Sequence, residues 1–162
     1  MTTFGLDHLY VTVSDFRRSE RFYDAVMERL GFRKGDTPIA GAPHAHYFTP
    51  LMQYTIRPAR DGAPAHDPYA PGLHHVCFQA PDCATVDRAY RDLRELGIAA
   101  SEPRLYPEYA PDYYATFFTD PDGLRLEIVA RRPLRDEIAS KWDRLDVFLN
   151  PVARLRAREG KK

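Results

Sequence analysis

Hydrophobic and polar residues alternate in two stretches of the chain that begin 67 residues apart. In the first stretch Leu9, Val11 and Val13 alternate with His8, Tyr10 and Thr12, a period of two that is typical of a half-buried strand. The second stretch begins at His75, and the separations 75 − 8, 82 − 15 and 90 − 23 all equal 67. Because three matched pairs keep one spacing, the chain contains an internal repeat.

A helical pattern follows each of these strands. The first copy has an N-cap candidate at Asp15 and a stop signal at Gly31, and the second has Asp82 and Gly97 in the same roles. Apolar residues at helical spacing lie between these signals: Phe22, Tyr23, Val26 and Leu30 in the first copy, and Val86, Ala89, Tyr90, Leu93 and Leu96 in the second. Each copy therefore predicts a strand followed by an amphipathic helix.

Three strand-like runs come after each helix. They lie at 32–34, 46–49 and 53–57 in the first copy, and at 98–101, 113–119 and 124–129 in the second. The residues Asp120-Pro121-Asp122-Gly123 separate the last two runs and are typical of a hairpin turn. The pattern predicts an α+β fold of two βαβββ modules at 1–60 and 72–130, joined by a linker at 61–71.

The region 131–162 predicts a C-terminal helix and a basic tail. Pro133 suits a first helical turn, and Asn150-Pro151 ends the pattern. Apolar residues recur near the helical period at Leu134, Ile138, Trp142, Leu145 and Leu149. We expect this stripe to pack on the body of the protein or on a second subunit.

Composition restricts the possible partners. A chain of 162 residues that is 44% hydrophobic and 28% charged corresponds to one folded domain. The 23 basic residues balance the 23 acidic ones, so no general attraction to nucleic acid or to membranes is expected. Two cysteines and no long apolar run favour a cytoplasmic protein.

Three residues able to bind a metal share one predicted face. His8 and His75 occupy equivalent points of equivalent strands, opposite the residues that pack on the helix. Glu127 alternates with two apolar neighbours and faces the same way. A single strand histidine or glutamate is more commonly hydrogen-bonded or solvated, but the shared register favours a site. Two imidazoles and one carboxylate form the ligand set of an open divalent site, which fits Zn, Ni, Mn or Fe.

The chain resembles the vicinal oxygen chelate superfamily of glyoxalases, bleomycin-resistance proteins and extradiol dioxygenases. The resemblance covers about residues 4–130 and lies in three motifs: Leu-Asp-His-Leu-Tyr-Val-Thr-Val ending at Val13, Gly-Leu-His-His-Val-Cys-Phe ending at Phe78, and Asp-Pro-Asp-Gly-Leu-Arg-Leu-Glu ending at Glu127. It implies that the modules form one cup-shaped mixed sheet around a divalent ion. It also implies His8, His75 and Glu127 as the ligands.

One ligand position of the family is changed in this chain. Many members have a fourth ligand, Glu or Gln, on the last strand of the first module, where alignment with Glu127 places Thr55. Gln53 and Arg57 share the face of Thr55. We expect these three residues, with Tyr10 and Tyr114, to line the substrate site, and we expect His74 to face away from His75.

The resemblance implies a glyoxalase-like lyase or isomerase that depends on a metal. The ion would stabilise an enolate-like state of a small oxygen-bearing substrate, and Glu127 would be the catalytic residue. Two alternatives remain open at this point: an Fe(II) extradiol-type dioxygenase, and a non-catalytic protein that binds drugs or other small molecules. We also expect a homodimer.

Overall fold

A computed structural model describes residues 5–140 and contains two modules with the same order of elements. The first consists of β1 (His8–Val13), α1 (Phe16–Arg29), β2 (Arg33–Asp36), β3 (Ala45–Phe48) and β4 (Gln53–Pro58). The second consists of β5 (His75–Ala80), α2 (Cys83–Glu95), β6 (Arg104–Leu105), β7 (Tyr114–Thr119) and β8 (Arg125–Ala130), and α3 (Arg132–Ser140) follows it. The predicted α+β class and the repeated βαβββ order are confirmed.

Each module forms a four-stranded mixed sheet. The strand orders are β1-β4-β3-β2 and β5-β8-β7-β6. In each sheet the first strand pairs in parallel with the last strand of its module, and the other pairs are antiparallel. The hydrogen bonds therefore define two sheets that have the same topology, with β1 and β5 each at an edge.

The helices begin and end at the predicted residues. The side chain of Asp15 accepts a hydrogen bond from Arg18 N, and Asp82 accepts one from Thr85 N. Gly31 and Gly97 follow the helices with φ angles of 83° and 73°, which are left-handed values that favour glycine. Capping and glycine chemistry thus set both helix boundaries.

One hydrophobic core joins the two modules on the helix side of the sheets. In β1 the buried residues Val11 and Val13 face this core, whereas His8, Tyr10 and Thr12 are more exposed on the opposite face. The Phe78 ring of the second module lies 6.0 Å from that of Tyr54 in the first. We call the face of each sheet that lies away from α1 and α2 its open face.

The turn between β7 and β8 also ties the second module to α1. The Asp120 carboxylate accepts a hydrogen bond from the Tyr23 hydroxyl at 2.8 Å, and Tyr54 donates to the Tyr23 oxygen at 3.0 Å. Asp122 accepts hydrogen bonds from the backbone and side chain of Ser14 and pairs with Arg18. Burial raises the pKa of Tyr23, so its hydroxyl keeps the proton that it donates.

Two predicted segments differ from the structure. The run at 98–101 contributes an isolated bridge, Ala100 to Phe118, and the strand β6 comes after Pro103. Proline lacks the N–H that a continuous ladder needs, so the pairing is interrupted there. The C-terminal helix is present as α3 up to Ser140. Trp142, Leu145, Leu149 and the basic tail lie outside the described residues. Among residues 5–140, no helix is long and apolar enough to cross a membrane.

Candidate functional site

The open face of the second sheet carries a histidine and a buried carboxylate. His75 lies on β5, and Glu127 lies on β8 directly opposite Cys77. The neighbours of Glu127 along the strand, Leu126 and Ile128, are in the core, which directs Glu127 to the open face. Glu127 is only 2% exposed. A buried acid on this face needs polar partners, because an unpaired carboxylate would be strongly disfavoured there.

The two oxygens of Glu127 have different surroundings. Its Oε1 accepts a hydrogen bond from the Tyr113 hydroxyl at 2.5 Å, while its Oε2 lies 3.6 Å from His75 Nε2. Burial and the carboxylate raise the pKa of Tyr113, so the hydroxyl stays protonated and acts as the donor. Tyr113 thus holds one oxygen, and the other oxygen faces the imidazole across a gap too long for a hydrogen bond.

Both candidate histidine ligands are hydrogen-bonded through Nδ1. His8 Nδ1 lies 2.8 Å from Asp7 Oδ2, and His75 Nδ1 lies 2.8 Å from His74 Nδ1. A carboxylate can only accept, so the His8 contact places the proton on Nδ1 and leaves the lone pair of Nε2 free. In the contact between His74 and His75 one Nδ1 donates and the other accepts, and the geometry is the same for either direction. These are the contacts that orient a metal-binding imidazole.

His74 lies beside His75 and does not face away from it as expected. It lines the same cavity and contacts His75 through the 2.8 Å hydrogen bond. The strand β5 begins only at His75, so the alternation of faces does not extend back to His74.

Thr55 occupies the position in the first sheet that Glu127 occupies in the second. It lies opposite Tyr10, two residues after His8, as Glu127 lies opposite Cys77, two residues after His75. Its hydroxyl oxygen lies 2.7 Å from Gln53 Nε2 and 3.0 Å from His46 Nδ1. His46 Nε2 in turn lies 3.2 Å from the Thr37 carbonyl. A closed network of uncharged groups therefore stands where the second module has its carboxylate.

The remaining predicted site residues of the first module belong to the first sheet, whereas His75 and Glu127 belong to the second. Tyr10, Gln53 and Arg57 are on the open face of the first sheet, with Gln53 opposite His8 and Arg57 opposite Thr12. His8 is on the same face. Within residues 5–140 of one chain, no three His, Cys, Asp or Glu residues are grouped closely enough to hold a metal ion. One chain brings His75 and Glu127 together and does not bring His8 to them.

Tyr114 lies on the helix side of its sheet and not on the cavity side. Its hydroxyl donates to Asp87 Oδ1 on α2 at 2.8 Å, and its ring packs against the core. The register explains this orientation. Phe117 pairs with Glu127 and shares its face, and Tyr114 lies three positions before Phe117, so it faces the other side. Tyr113, which precedes β7, is the tyrosine at the carboxylate, and the strand pattern did not reveal it.

A cavity of about 1060 Å³ lies over the open face of the second sheet. Its walls include His75, Glu127, Tyr113, Tyr109, Phe117 and Arg131. Nearby, desolvation and the Glu127 carboxylate raise the pKa of Cys77 to about 12, so the thiol stays protonated near neutral pH. This volume is slightly above the usual range for small-molecule sites, and two of the polar wall residues, His75 and Tyr113, lie beside Glu127.

Comparison with known proteins agrees with this arrangement. The model of the Glyoxalase/Bleomycin resistance protein/Dioxygenase superfamily matches residues 5–128. The chain belongs to this superfamily. It is 29% identical over 134 residues to YaeR of Escherichia coli (strain K12), an uncharacterized protein, and this match covers 75% of the chain and 92% of YaeR. The resemblance identified from the three sequence motifs is thereby confirmed.

Solved structures of the superfamily share the fold. A glyoxylase/bleomycin resistance protein/dioxygenase domain from Frankia sp. EAN1pec superposes with a TM-score of 0.67 at 22% identity, covering 80% of this chain and 98% of the Frankia chain. Lactoylglutathione lyase from Agrobacterium tumefaciens gives a TM-score of 0.60 at 17% identity, covering 82% of this chain and 98% of the lyase. Identities this low show a common fold and leave the reaction open.

Proposed function

We propose that the protein is a metal-dependent, glyoxalase-like lyase or isomerase that acts on a small oxygen-bearing substrate. The metal ligands in this proposal are His8, His75 and Glu127. The observation that carries it is the shared hydrogen bonding of the two histidines, each with Nδ1 occupied by the preceding residue. The donor chemistry fits a divalent ion, because imidazole nitrogen and carboxylate oxygen are its usual protein ligands.

The residues of the chain have separate tasks in this proposal. A bound divalent ion supplies a Lewis acid that polarises a substrate oxygen and stabilises negative charge on it. Tyr113 holds Glu127 Oε1, which fixes the plane of the carboxylate and leaves Oε2 facing the cavity. Glu127 is the residue that we propose takes a proton from the substrate and returns it.

We propose a homodimer in which His8 of one subunit completes the site of the other. Two features support it. The strands β1 and β5 lie at sheet edges, where a second chain can approach. Large apolar residues are also exposed near these faces, among them Tyr10 at 40% and Tyr109 at 63%. A twofold axis would repeat any such contact, so both sites would be completed together.

Mixing two inactive variants tests the shared site. A heterodimer of His8→Ala and Glu127→Ala has both defects in one of its two sites and a native set of ligands in the other. About half of the dimers in a random mixture are heterodimers, so the mixture should recover about a quarter of the wild-type metal sites. Subunits are exchanged in dilute denaturant and refolded, and bound metal is measured by elemental analysis. The same treatment of each variant alone is the control. If a verified heterodimer binds no metal, either all three ligands come from one chain or the proposed metal site does not exist.

The reaction is tested on protein purified without added metal. Elemental analysis identifies the ion, and a panel of hemithioacetals and catechols is then assayed. We expect turnover of a hemithioacetal or a related oxygen-bearing substrate that stops on chelation and returns with the metal. Chelation should also lower the melting temperature, because the ion binds only the folded protein. Bound iron with catechol turnover would support the dioxygenase instead.

The cavity supports a second candidate, which is binding of a small molecule without catalysis. Its volume of about 1060 Å³ accommodates a drug-sized ligand, and one chain forms it without a complete set of metal ligands. Tight binding with no turnover in the presence and absence of metal would favour this candidate. For either role we expect a cytoplasmic protein, since both described cysteines are free thiols.

A further inference from the structure

The cavity has an aromatic wall that is separate from the main core. Tyr106, Tyr113, Ala115 and Val129 form a second buried cluster, with Phe117 packed against it. The Tyr106 and Phe117 rings meet edge to face at 5.2 Å between centroids. These rings pack on the open face of the second sheet, the face away from α2. They therefore form a wall of the cavity and are not part of the core between the modules.

Tyr109 extends this wall into the cavity. Its ring stacks on Tyr106 at 5.8 Å and 13° between planes, and it meets Tyr113 edge to face at 5.2 Å. It nevertheless remains 63% exposed. An exposed ring that two others hold in a fixed orientation is a stacking surface for a planar ligand, because offset or tilted ring pairs are favourable beyond the area that they bury.

Arg131 places a cation in the same cavity. It is half-buried between β8 and α3, and its guanidinium carbon lies 5.3 Å from the centroid of the Tyr113 ring. In the part of the chain that the structure describes, no carboxylate oxygen lies within 4.0 Å of its side-chain nitrogens. A guanidinium presents parallel N–H donors that match the two oxygens of a carboxylate.

Tyr113 connects these two features. Its ring contacts Tyr109 on one side and Arg131 on another, while its hydroxyl holds Glu127. A ligand that stacks on Tyr109 therefore lies in the same cavity as Arg131 and Glu127. Aromatic rings and a guanidinium in one cavity favour a planar, negatively charged ligand.

We propose that the cavity binds a planar aromatic compound carrying a carboxylate, with the ring on Tyr109 and the carboxylate on Arg131. This inference deepens the proposed function, since it names the substrate class of the same cavity. It does not depend on the metal, because neither Tyr109 nor Arg131 is among the proposed ligands. The test can therefore be made on the whole protein with the metal removed.

The test compares three probes on the full-length protein in EDTA. They are 2-naphthoate, the uncharged 2-naphthamide, and decahydro-2-naphthoate, which keeps the carboxylate but is not planar. We expect 2-naphthoate to bind at least about tenfold more tightly than either of the others, measured by calorimetry. Equal affinity for the acid and the amide would disprove the role of the charge. Equal affinity for the planar and saturated acids would disprove the stacking.

Three arginine variants locate the anion. Arg131→Gln should reduce the preference for the acid over the amide to within about twofold. Arg132→Gln is the matched control, because Arg132 is the next residue and forms a surface ion pair with Asp136 at 2.8 Å. Arg125→Gln removes the second arginine that lines the cavity and should keep most of the preference. Loss of the preference in Arg125→Gln alone would contradict the assignment to Arg131.

A tyrosine variant tests the ring contact. Tyr109→Ala should weaken the acid and the amide alike, about five- to tenfold, while the preference between them stays. The melting temperature of each variant shows whether it is folded. Metal binding measured separately distinguishes the two proposals. If the protein retains metal but does not bind naphthoate, this inference is wrong and the proposed function stands. If it binds naphthoate but does not retain metal, the proposed function is wrong and this inference stands.

Discussion

The two modules share a topology and differ most at one pair of equivalent positions. At this position the second sheet has Glu127, bound by Tyr113 and facing His75 beside a cavity. The first sheet has Thr55, which is fully buried in a hydrogen-bonded network with Gln53 and His46. The register is the same in both sheets, so the backbone does not cause the difference.

The comparison teaches that equivalent positions of a repeat can carry different chemical groups while the scaffold of both copies is kept. The network around Thr55 satisfies both ring nitrogens of His46, one by the hydroxyl and one by the Thr37 carbonyl. That network contains no carboxylate. We therefore expect the first module to contribute His8 and the second to contribute the carboxylate, and the following variants test this division.

The largest expected effect is that of Glu127→Ala on metal retention. Loss of a ligand should weaken the metal at least about 100-fold, since even removal of an outer hydrogen-bond partner typically costs 10- to 100-fold. The measurement is a titration against a competing chelator. Thr55→Ala is the matched control at the equivalent position and should change the affinity by less than about twofold. Similar losses in both variants would mean that the two sheets do not differ as proposed.

Tyr113→Phe should have the next largest effect. It removes the hydroxyl that holds Glu127 Oε1, so we expect metal affinity to fall about tenfold with the ring packing kept. Cobalt loaded into the protein should show a changed visible spectrum, which a purely structural role of the tyrosine would not produce. Tyr114→Phe, one residue along, removes the bond to Asp87 on the helix side and should leave metal affinity and spectrum unchanged.

Tyr23→Phe tests the connection between the modules and not the open faces. The hydroxyl donates to the buried Asp120 carboxylate, and its loss should reduce the free energy of unfolding by about 2 kcal/mol. Denaturant titration measures this change, and metal affinity in the folded protein should not change. A variant as stable as the wild type would show that the bond contributes nothing to holding the modules together.

The same variant has a predictable pH dependence. Burial raises the pKa of Asp120, whereas the Tyr23 hydrogen bond lowers it. A carboxyl whose pKa is raised in the folded state favours folding at pH below its unfolded pKa, and this contribution is lost as the pH rises through the folded pKa. Tyr23→Phe should raise the folded pKa further. Its destabilisation should therefore be smaller at pH 3 than at pH 7 (about one unit below and three above the unfolded pKa of Asp).

The smallest effect is expected for Thr55→Val. The substitution removes a buried hydroxyl that contacts His46 and Gln53, and it should cost about 1 kcal/mol of stability. Gln53 Nε2 lies 3.2 Å from His46 Nδ1 and can still serve that nitrogen, which limits the loss. Thermal unfolding measures the difference. A cost above about 3 kcal/mol, with the metal also lost, would mean that the network supports the site directly.

The sequence was sufficient for the features that depend on local chemistry. Asp15 and Asp82 cap their helices, and the alternation of Val11 and Val13 with His8 placed the core face correctly. It was insufficient where the position of a residue depends on how a loop enters a strand. Tyr113 and Tyr114 differ by one position, and only the pairing of β7 with β8 decides which of them faces Glu127.

The sequence pattern also could not predict where His8 lies relative to the other candidate ligands. Alternation predicts the face on which a side chain lies, but it does not predict how two sheets are oriented in space. The structure keeps the sheets separate and joins them through a core on their helix side. The convergence of all three ligands therefore stays a prediction.

The hydrogen bond between Tyr23 and Asp120 has a consequence for how the protein is made. The two residues are 97 positions apart, and Tyr54 depends on the same acceptor through the Tyr23 hydroxyl. While the ribosome has released only the first module, the Tyr23 hydroxyl has no Asp120 to donate to, and the Phe78 ring that lies near Tyr54 is also missing. These contacts between the two halves can therefore form only after the turn at residues 120–123 leaves the exit tunnel.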